Sequence, residues 1–282
     1  MSPSAQIQQQ QSFTQEIAPS FAQGHVPRHL FELSFRRFAI DTALLWTLML
    51  GLLLAVNAIQ SPLGWVGLFI ANGVVQNAFG ILAHDSLHYR IHANKQVNDW
   101  FARFFVTGAI TFPLTLGRVN HLNHHKYLGT ELDRDRNYHK TEGKETPLKV
   151  LGFFMSALLM IGFVQIALKI LTPKKSAQNE STELASFDIK NTFVDVVTLL
   201  VTQLSILSLY TLVTGNWVNY FIFWILPLYS VSVFLNTVRS FCEHAIPVPD
   251  VVADQDRLIT HTSHPIELTI VAPFGMNYHA EH

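Results

Sequence analysis

Apolar runs separated by short polar segments make up most of the chain after its first 37 residues. A helix rises 1.5 Å per residue, so about 20 apolar residues are needed to cross the roughly 30 Å hydrocarbon core of a membrane. The runs that are long or apolar enough to be considered as spans are Phe38–Ile59, Leu63–Ala83, Leu148–Leu171, Thr192–Thr214 and Trp217–Val238. This pattern predicts an all-α, polytopic membrane protein.

The placement of Lys and Arg predicts how these runs cross the membrane. The loop between the first two runs, 60–62, and the loop between the last two, 215–216, contain neither residue. Because basic residues concentrate in cytoplasmic loops, both tips are expected to lie outside. Lysines flank the run Leu148–Leu171 on both sides, which favours an embedded helix with both ends cytoplasmic. We therefore predict about four transmembrane helices arranged in two hairpins.

A shorter apolar run, Phe101–Leu116, is expected to be interfacial or re-entrant. It carries Arg103 near its start and contains Pro113, which would interrupt a helix. The predicted topology leaves three polar segments on the cytoplasmic face, and they contain most of the histidines. These segments are His84–Asp99, Arg118–Glu145 and Arg239 to the end. We expect them to form a His-rich, metal-binding cap.

The N-terminal residues differ in composition from the rest of the chain. Residues 1–30 begin with a Gln-rich polar stretch that offers little apolar surface for packing, and they are predicted to be a disordered tail. No cleaved signal peptide is predicted, because a basic start followed by an apolar run is missing there. Residues 31–282 are predicted to form one domain.

Composition excludes several classes of protein. The chain is 49% hydrophobic and only 14% charged, which is too apolar for an ordinary soluble domain. A net charge of −1 argues against nucleic acid as a partner. Cys242 is the single cysteine beside 14 histidines, so a thiolate metal site is excluded. Any metal would be bound by imidazole.

Three histidine clusters carry the candidate chemistry. The first, HDSLH, follows the second apolar run, the second is HLNHH, and the third is NYHAEH at the end of the chain. Spacings of three and four place imidazoles on one helical face. The cluster histidines are His84, His88, His121, His124, His125, His279 and His282. We predict that they share a metal centre on one side of the membrane.

Imidazole ligands without thiolates are compatible with iron, copper, nickel or zinc. Seven histidines exceed the four ligands of one zinc ion, so two metal ions and oxygen chemistry are favoured. A zinc-binding membrane receptor or transporter stays open as an alternative of another class. Polar residues in the apolar runs would then mark a transport path. These are Asp41, Asn72, Gln76, Asn77 and Asp195, of which the two aspartates also fit interfacial positions.

The three clusters, in this order, resemble the histidine boxes of the membrane fatty acid desaturase superfamily. The resemblance implies a di-iron centre that uses dioxygen and two external electrons on an unactivated C–H bond. It implies that the cluster histidines are the ligands, and the segment NTVRSFCEH implies His244 as an eighth. The residues expected to orient the ligand imidazoles or to support them are Asp85, Asp133, Asp135, Asn236, Arg239 and Glu281.

The third box departs from the family pattern. The family reads His-x-x-His-His there and continues, whereas this sequence ends at His282 after the second histidine. We therefore expect the 31–282 domain to be C-terminally incomplete, and the 282-residue chain to be inactive.

The resemblance favours one reaction among several. The three-residue gap between His84 and His88 is more similar to that of acyl-lipid desaturases and carotenoid oxygenases than to that of acyl-CoA desaturases. A carotenoid or lipid hydroxylase or ketolase of the same superfamily is the alternative enzyme. A His-Pro-Gly-Gly haem signature is missing from the sequence, which implies a separate electron donor of the ferredoxin or cytochrome b5 type. The run Phe101–Leu116 and the region before His279 are the candidate walls of the acyl path, with Ala109 as the position to test.

Overall fold

The computed structural model describes residues 33–127, 146–162, 164, 188–244 and 263–277. The predicted tail at 1–30 lies outside these residues. The same holds for Asp133, Asp135, His279, Glu281 and His282, and for the side chain of His244. Those predictions are therefore untested by the structure.

Four helices are long and apolar enough to cross a membrane, as the sequence predicted. They are α1 (Phe35–Ala58), α2 (Pro62–Leu87), α6 (Ile189–Thr214) and α7 (218–244), whose apolar span is Val218–Glu243. Helices α1 and α2 form one hairpin, and α6 and α7 form the other. Ser61 caps the start of α2 through a hydrogen bond from the Gly64 amide, and Gly215 ends α6 in the left-handed conformation that glycine adopts without strain.

The other described helices are shorter. They are α3 (Lys95–Ala102), α4 (Leu114–Tyr127), α5 (Pro147–Leu158) and α8 (Pro265–Val271). Helix α5 covers residues 148–158 of the predicted run Leu148–Leu171 and is itself too short to span the membrane. It packs on the end of α7, where the Phe154 ring lies 5.3 Å from the Phe241 ring.

The segment between α3 and α4 is the predicted re-entrant element. Helix α3 continues as a π-helical turn, Arg103–Thr107, and the backbone then turns at 108–111. The Gln203 side chain, in the middle of α6, donates to the carbonyls of Gly108 and Ala109 at 2.6 and 3.0 Å. Trp224 on α7 donates to the Ala109 carbonyl as well. Non-helical backbone is tolerated at membrane depth because its polar groups are satisfied in this way.

A buried ion pair fixes this segment to α6. Arg103 Nε donates to Asp195 Oδ1 at 2.7 Å, and the second carboxylate oxygen accepts from the Thr115 amide at the start of α4. The Asp195 side chain is 1% exposed and is paired within the protein, and its expected interfacial position stays a prediction. Asp41, which is partly exposed beside Arg37, agrees with that expectation.

Helix α7 is interrupted by two π-helical segments, Phe221–Ile225 and Leu228–Ser232, before its final stretch Val233–His244. Its central part packs closely on α2, because a Cβ on Gly73 would lie 2.4 Å from Val231 Cβ. Such interruptions change the direction of side chains along a helix and often occur at functional sites.

Candidate metal centre

Four histidines from the first two clusters converge in the described residues. His84 and His88 come from the C-terminal end of α2, where α2 continues past the apolar run to Leu87. His121 and His125 lie one turn apart on α4. One ligand nitrogen from each lies within 4.8 Å of all the others. The predicted meeting of the first and second clusters is therefore observed.

The closest imidazole nitrogens are separated by distances that suit a common metal ion. The Nε2 atoms of His88 and His121 are 2.7 Å apart, and those of His121 and His125 are 3.0 Å apart. Neighbouring ligands with metal–nitrogen bonds of about 2.1 Å lie roughly 3 Å from each other. The donor set is entirely imidazole, which suits iron, copper or zinc. The four residues therefore fit a metal ion.

His124 takes a different position from the other histidines of α4. It is 4% exposed and does not belong to the group of four. Its ring centroid lies 6.2 Å from that of His121 and 5.8 Å from that of His125. His124 is thus a predicted ligand that lies near the group of four without belonging to it.

The end of α7 brings further predicted residues to the same region. Arg239 donates to Glu243 at 2.6 Å and to Asn236 Oδ1 at 2.9 Å. His244 is the last residue of the same helix. The sequence analysis missed Glu243, which is fully buried, although an Arg–Glu pair at a spacing of four was a readable signal.

Asp85 was expected to orient a ligand imidazole. Its Oδ1 lies 3.9 Å from His84 Nδ1, which is longer than a hydrogen bond. An orienting role for Asp85 therefore remains a prediction.

Arg118 joins the two helices that carry the histidines, and the sequence analysis did not single it out as a site residue. From α4 it donates to the backbone carbonyls of Ser86 and Leu87, which lie between His84 and His88 on α2. It also makes a bidentate pair with Asp99 at 2.6 and 3.0 Å. The guanidinium binds the negative end of α2 and fixes α4 against it.

A cavity of about 540 Å³ opens beside the histidines. His84, His121 and His124 line one part of it, and Arg239 and Asn236 line the α7 side. The re-entrant segment contributes Ile110, Thr111 and Phe112, so this part of Phe101–Leu116 forms a wall as expected.

Ala109 does not line the cavity. It is fully buried in the core, and its carbonyl accepts hydrogen bonds from Gln203 and Trp224. The choice of Ala109 as the position to test the path was therefore wrong. The neighbouring residue Ile110 is the appropriate position.

Comparison with known proteins identifies one family. A family model described as fatty acid desaturase matches residues 59–282, a range that begins just before α2 and includes every described helix after α1. Searches among curated proteins and among solved structures found no significant match.

Proposed function

The chain belongs to the fatty acid desaturase family, and on that premise we propose that it is a membrane-bound acyl-lipid desaturase. The observation that carries this proposal is the set of four converging imidazoles, of which those of His84 and His121 line a cavity within the helix bundle. An apolar chain in this cavity would lie beside the metal site while remaining shielded by the spans.

The proposed cofactor is a pair of iron ions. His84, His88, His121 and His125 would hold metal directly, and His124, His244, His279 and His282 are proposed to complete the set. When bound, the irons would supply the activation of dioxygen that removal of two hydrogens from an alkyl chain requires.

The packing of the last described residues near α2 supports this ligand set. Met276 packs against Ile81 on α2, less than one turn before His84. Asn277 is 3% exposed and is only two residues from His279, which is about 7 Å of extended chain. The third box therefore starts within reach of α2.

The residues of this chain would position the substrate and hold the ligands still. Arg118 ties the ends of α2 and α4 together, and Arg103 with Asp195 fixes the start of α4 to α6. Preorganised ligands of this kind keep a metal site in one geometry through a reaction. Electrons are proposed to come from a separate ferredoxin or cytochrome b5-type protein, with the histidine face in the cytoplasm.

A hydroxylase or ketolase acting on a carotenoid or another lipid is the second candidate. It is favoured by the polar part of the cavity wall, where Thr111 and Tyr229 place hydroxyl groups. A purely hydrocarbon substrate makes no use of such groups.

Metal analysis combined with lipid profiling tests the proposal. The protein from its full open reading frame should contain about two irons per chain, and expressing cells should gain new double bonds in their acyl lipids. A His88→Ala variant should lose both iron and product. Oxygenated products would select the second candidate, whereas one zinc per chain with unchanged lipids would refute both and favour a zinc-binding receptor or transporter.

A further inference from the structure

A second cavity, of about 370 Å³, lies where the start of α6 meets α3 and the π-helical turn that follows it. Three cationic residues line it, Lys95, Arg103 and Lys190, beside a single carboxylate, Asp99. Its lining residues are different from those of the cavity beside the histidines. It is therefore a separate site from the candidate metal centre.

The carboxylates near this second cavity are already bound within the protein. Asp99 forms the bidentate pair with Arg118, and Asp195 pairs with Arg103. Asp188 caps the start of α6 with its side chain. Arg118 and the three cations of the cavity thus stand against three carboxylates, which leaves one positive charge in excess.

The cations of the second cavity keep donors for a ligand. Arg103 makes its hydrogen bonds through Nε and Nη2, whereas Nη1 makes none with the described residues. The Lys95 ammonium lies 4.8 Å from the centre of the Tyr89 ring, a contact that leaves its positive charge in place. Lys190 is exposed in the first turn of α6, and its charge acts on Asp188. An anion with acceptor oxygens would therefore find donors on three residues.

The second cavity lies at the end of a membrane span. Lys190 begins a row of residues on one face of α6, because spacings of three and four align side chains along a helix. The next members of this row are apolar and exposed, namely Phe193, Val197 and Leu200. Trp100, which lines the cavity, is 56% exposed, and tryptophan concentrates at the level of lipid head groups. A ligand in this cavity therefore lies beside a surface suited to hydrocarbon chains.

We propose that the second cavity binds the phosphate of an anionic phospholipid, whose acyl chains lie along the apolar row of α6. A phosphodiester carries one negative charge, which matches the excess at the site, and its oxygens accept charge-assisted hydrogen bonds from Arg and Lys. A free phosphate ester shares this head chemistry but makes no use of the apolar row. The inference does not rest on the proposed function, because the two cavities have different lining residues.

Lipid titrations followed by native mass spectrometry test the site. The full-length protein in detergent would be titrated with dioleoyl phosphatidylglycerol, which is anionic, and with dioleoyl phosphatidylcholine, which has no net charge. A lysine beside an anionic lipid strengthens binding about fivefold, so the double variant Lys95→Gln with Lys190→Gln should bind phosphatidylglycerol about 25-fold more weakly. Both lysines are exposed, so the substitutions leave the core intact. The ratio of the two lipid affinities within one variant does not depend on the folded fraction, so misfolding cannot imitate the result.

The double variant Arg36→Gln with Lys149→Gln is the matched control. Both residues are exposed and basic near the starts of α1 and α5, and neither lines the second cavity. The control should keep its affinity for phosphatidylglycerol within about twofold of that of the unmodified protein. Equal weakening in the two double variants would indicate a general attraction by surface charge and would overturn the site.

Glycerol 3-phosphate distinguishes the two sources of phosphate. It lacks acyl chains, so it should not displace phosphatidylglycerol at equal concentration, and displacement would overturn the lipid as the ligand in favour of a free phosphate ester. Equal affinity of the unmodified protein for the two lipids would overturn the anion site. Loss of iron and product in the lipid-profiling experiment, with the preference for phosphatidylglycerol retained, would refute only the proposed reaction.

Discussion

Replacing Arg118 tests whether the link between α2 and α4 sets the geometry of the metal site. The Arg118 side chain is 11% exposed and its partner Asp99 is 19% exposed, so the pair is largely removed from water. Its four hydrogen bonds join Asp99 and two carbonyls of α2. Lysine cannot reproduce this set, because its ammonium group lacks the planar fork.

The expected losses of stability and of metal affinity follow from the groups that Arg118→Gln leaves without their partner. In Arg118→Gln, Asp99 loses its cation and the carbonyls of Ser86 and Leu87 lose a charged donor. Breaking one partner of a buried ion pair costs about 3–5 kcal/mol. Changes in the groups that support metal ligands typically weaken metal binding 10- to 100-fold, and we expect about tenfold here.

The assay measures iron(II) affinity by competition with a chelator, together with the free energy of unfolding in mild detergent. Arg37→Gln is the matched control, since Arg37 makes an exposed pair with Asp41 at 3.8 Å. An exposed pair is worth 1 kcal/mol at most, and its loss should leave iron affinity unchanged. Arg118→Lys should fall between the unmodified protein and Arg118→Gln. An iron affinity of Arg118→Gln within about twofold of the Arg37→Gln value would refute the reasoning.

Two further substitutions test the cavity wall and the buried ion pair. A Cβ on Gly117 would lie 2.2 Å from the Phe112 ring, so Gly117→Ala should push that ring into the cavity and shift the products toward shorter chains. Gly67→Ala is the control, because no atom lies within 4 Å of its Cβ and Gly67 does not line the cavity; both variants are measured by lipid profiling. Asp195→Asn should lower the free energy of unfolding by about 3–5 kcal/mol, because it leaves the Arg103 cation uncompensated. A loss below 1 kcal/mol in denaturant unfolding would contradict a structural role for that pair.

The spans and the first two histidine clusters were predictable because their signals are local. Apolar length identifies a membrane helix, and a spacing of four places His84 and His88 on one face of α2. The structure extends the second span from Ala83 to Leu87, which places His84 in the last turn of the helix and His88 at its C-cap. That extension is what directs them toward α4.

The contacts that hold the site together were not predictable from the sequence. Arg118 and Asp99 are 19 residues apart, and Arg103 and Asp195 are 92 apart. No periodicity connects such pairs, since their distance depends on how the spans pack. Within the sequence, Arg103 and Arg118 are merely charges at either end of a short apolar run.

The polar residues within the apolar runs show how the cavity can exist in a helix bundle. Gln76 donates to the Trp224 carbonyl within the first π-helical segment of α7, and Asn77 donates to the last carbonyls of α8. Gln203 donates to the Gly108 carbonyl in the re-entrant turn. Each amide satisfies backbone that has left the regular helical pattern, which is the condition for such backbone at membrane depth. Gln76 and Asn77, which would mark a transport path in another class of protein, here act like Gln203 and stabilise segments around the cavity.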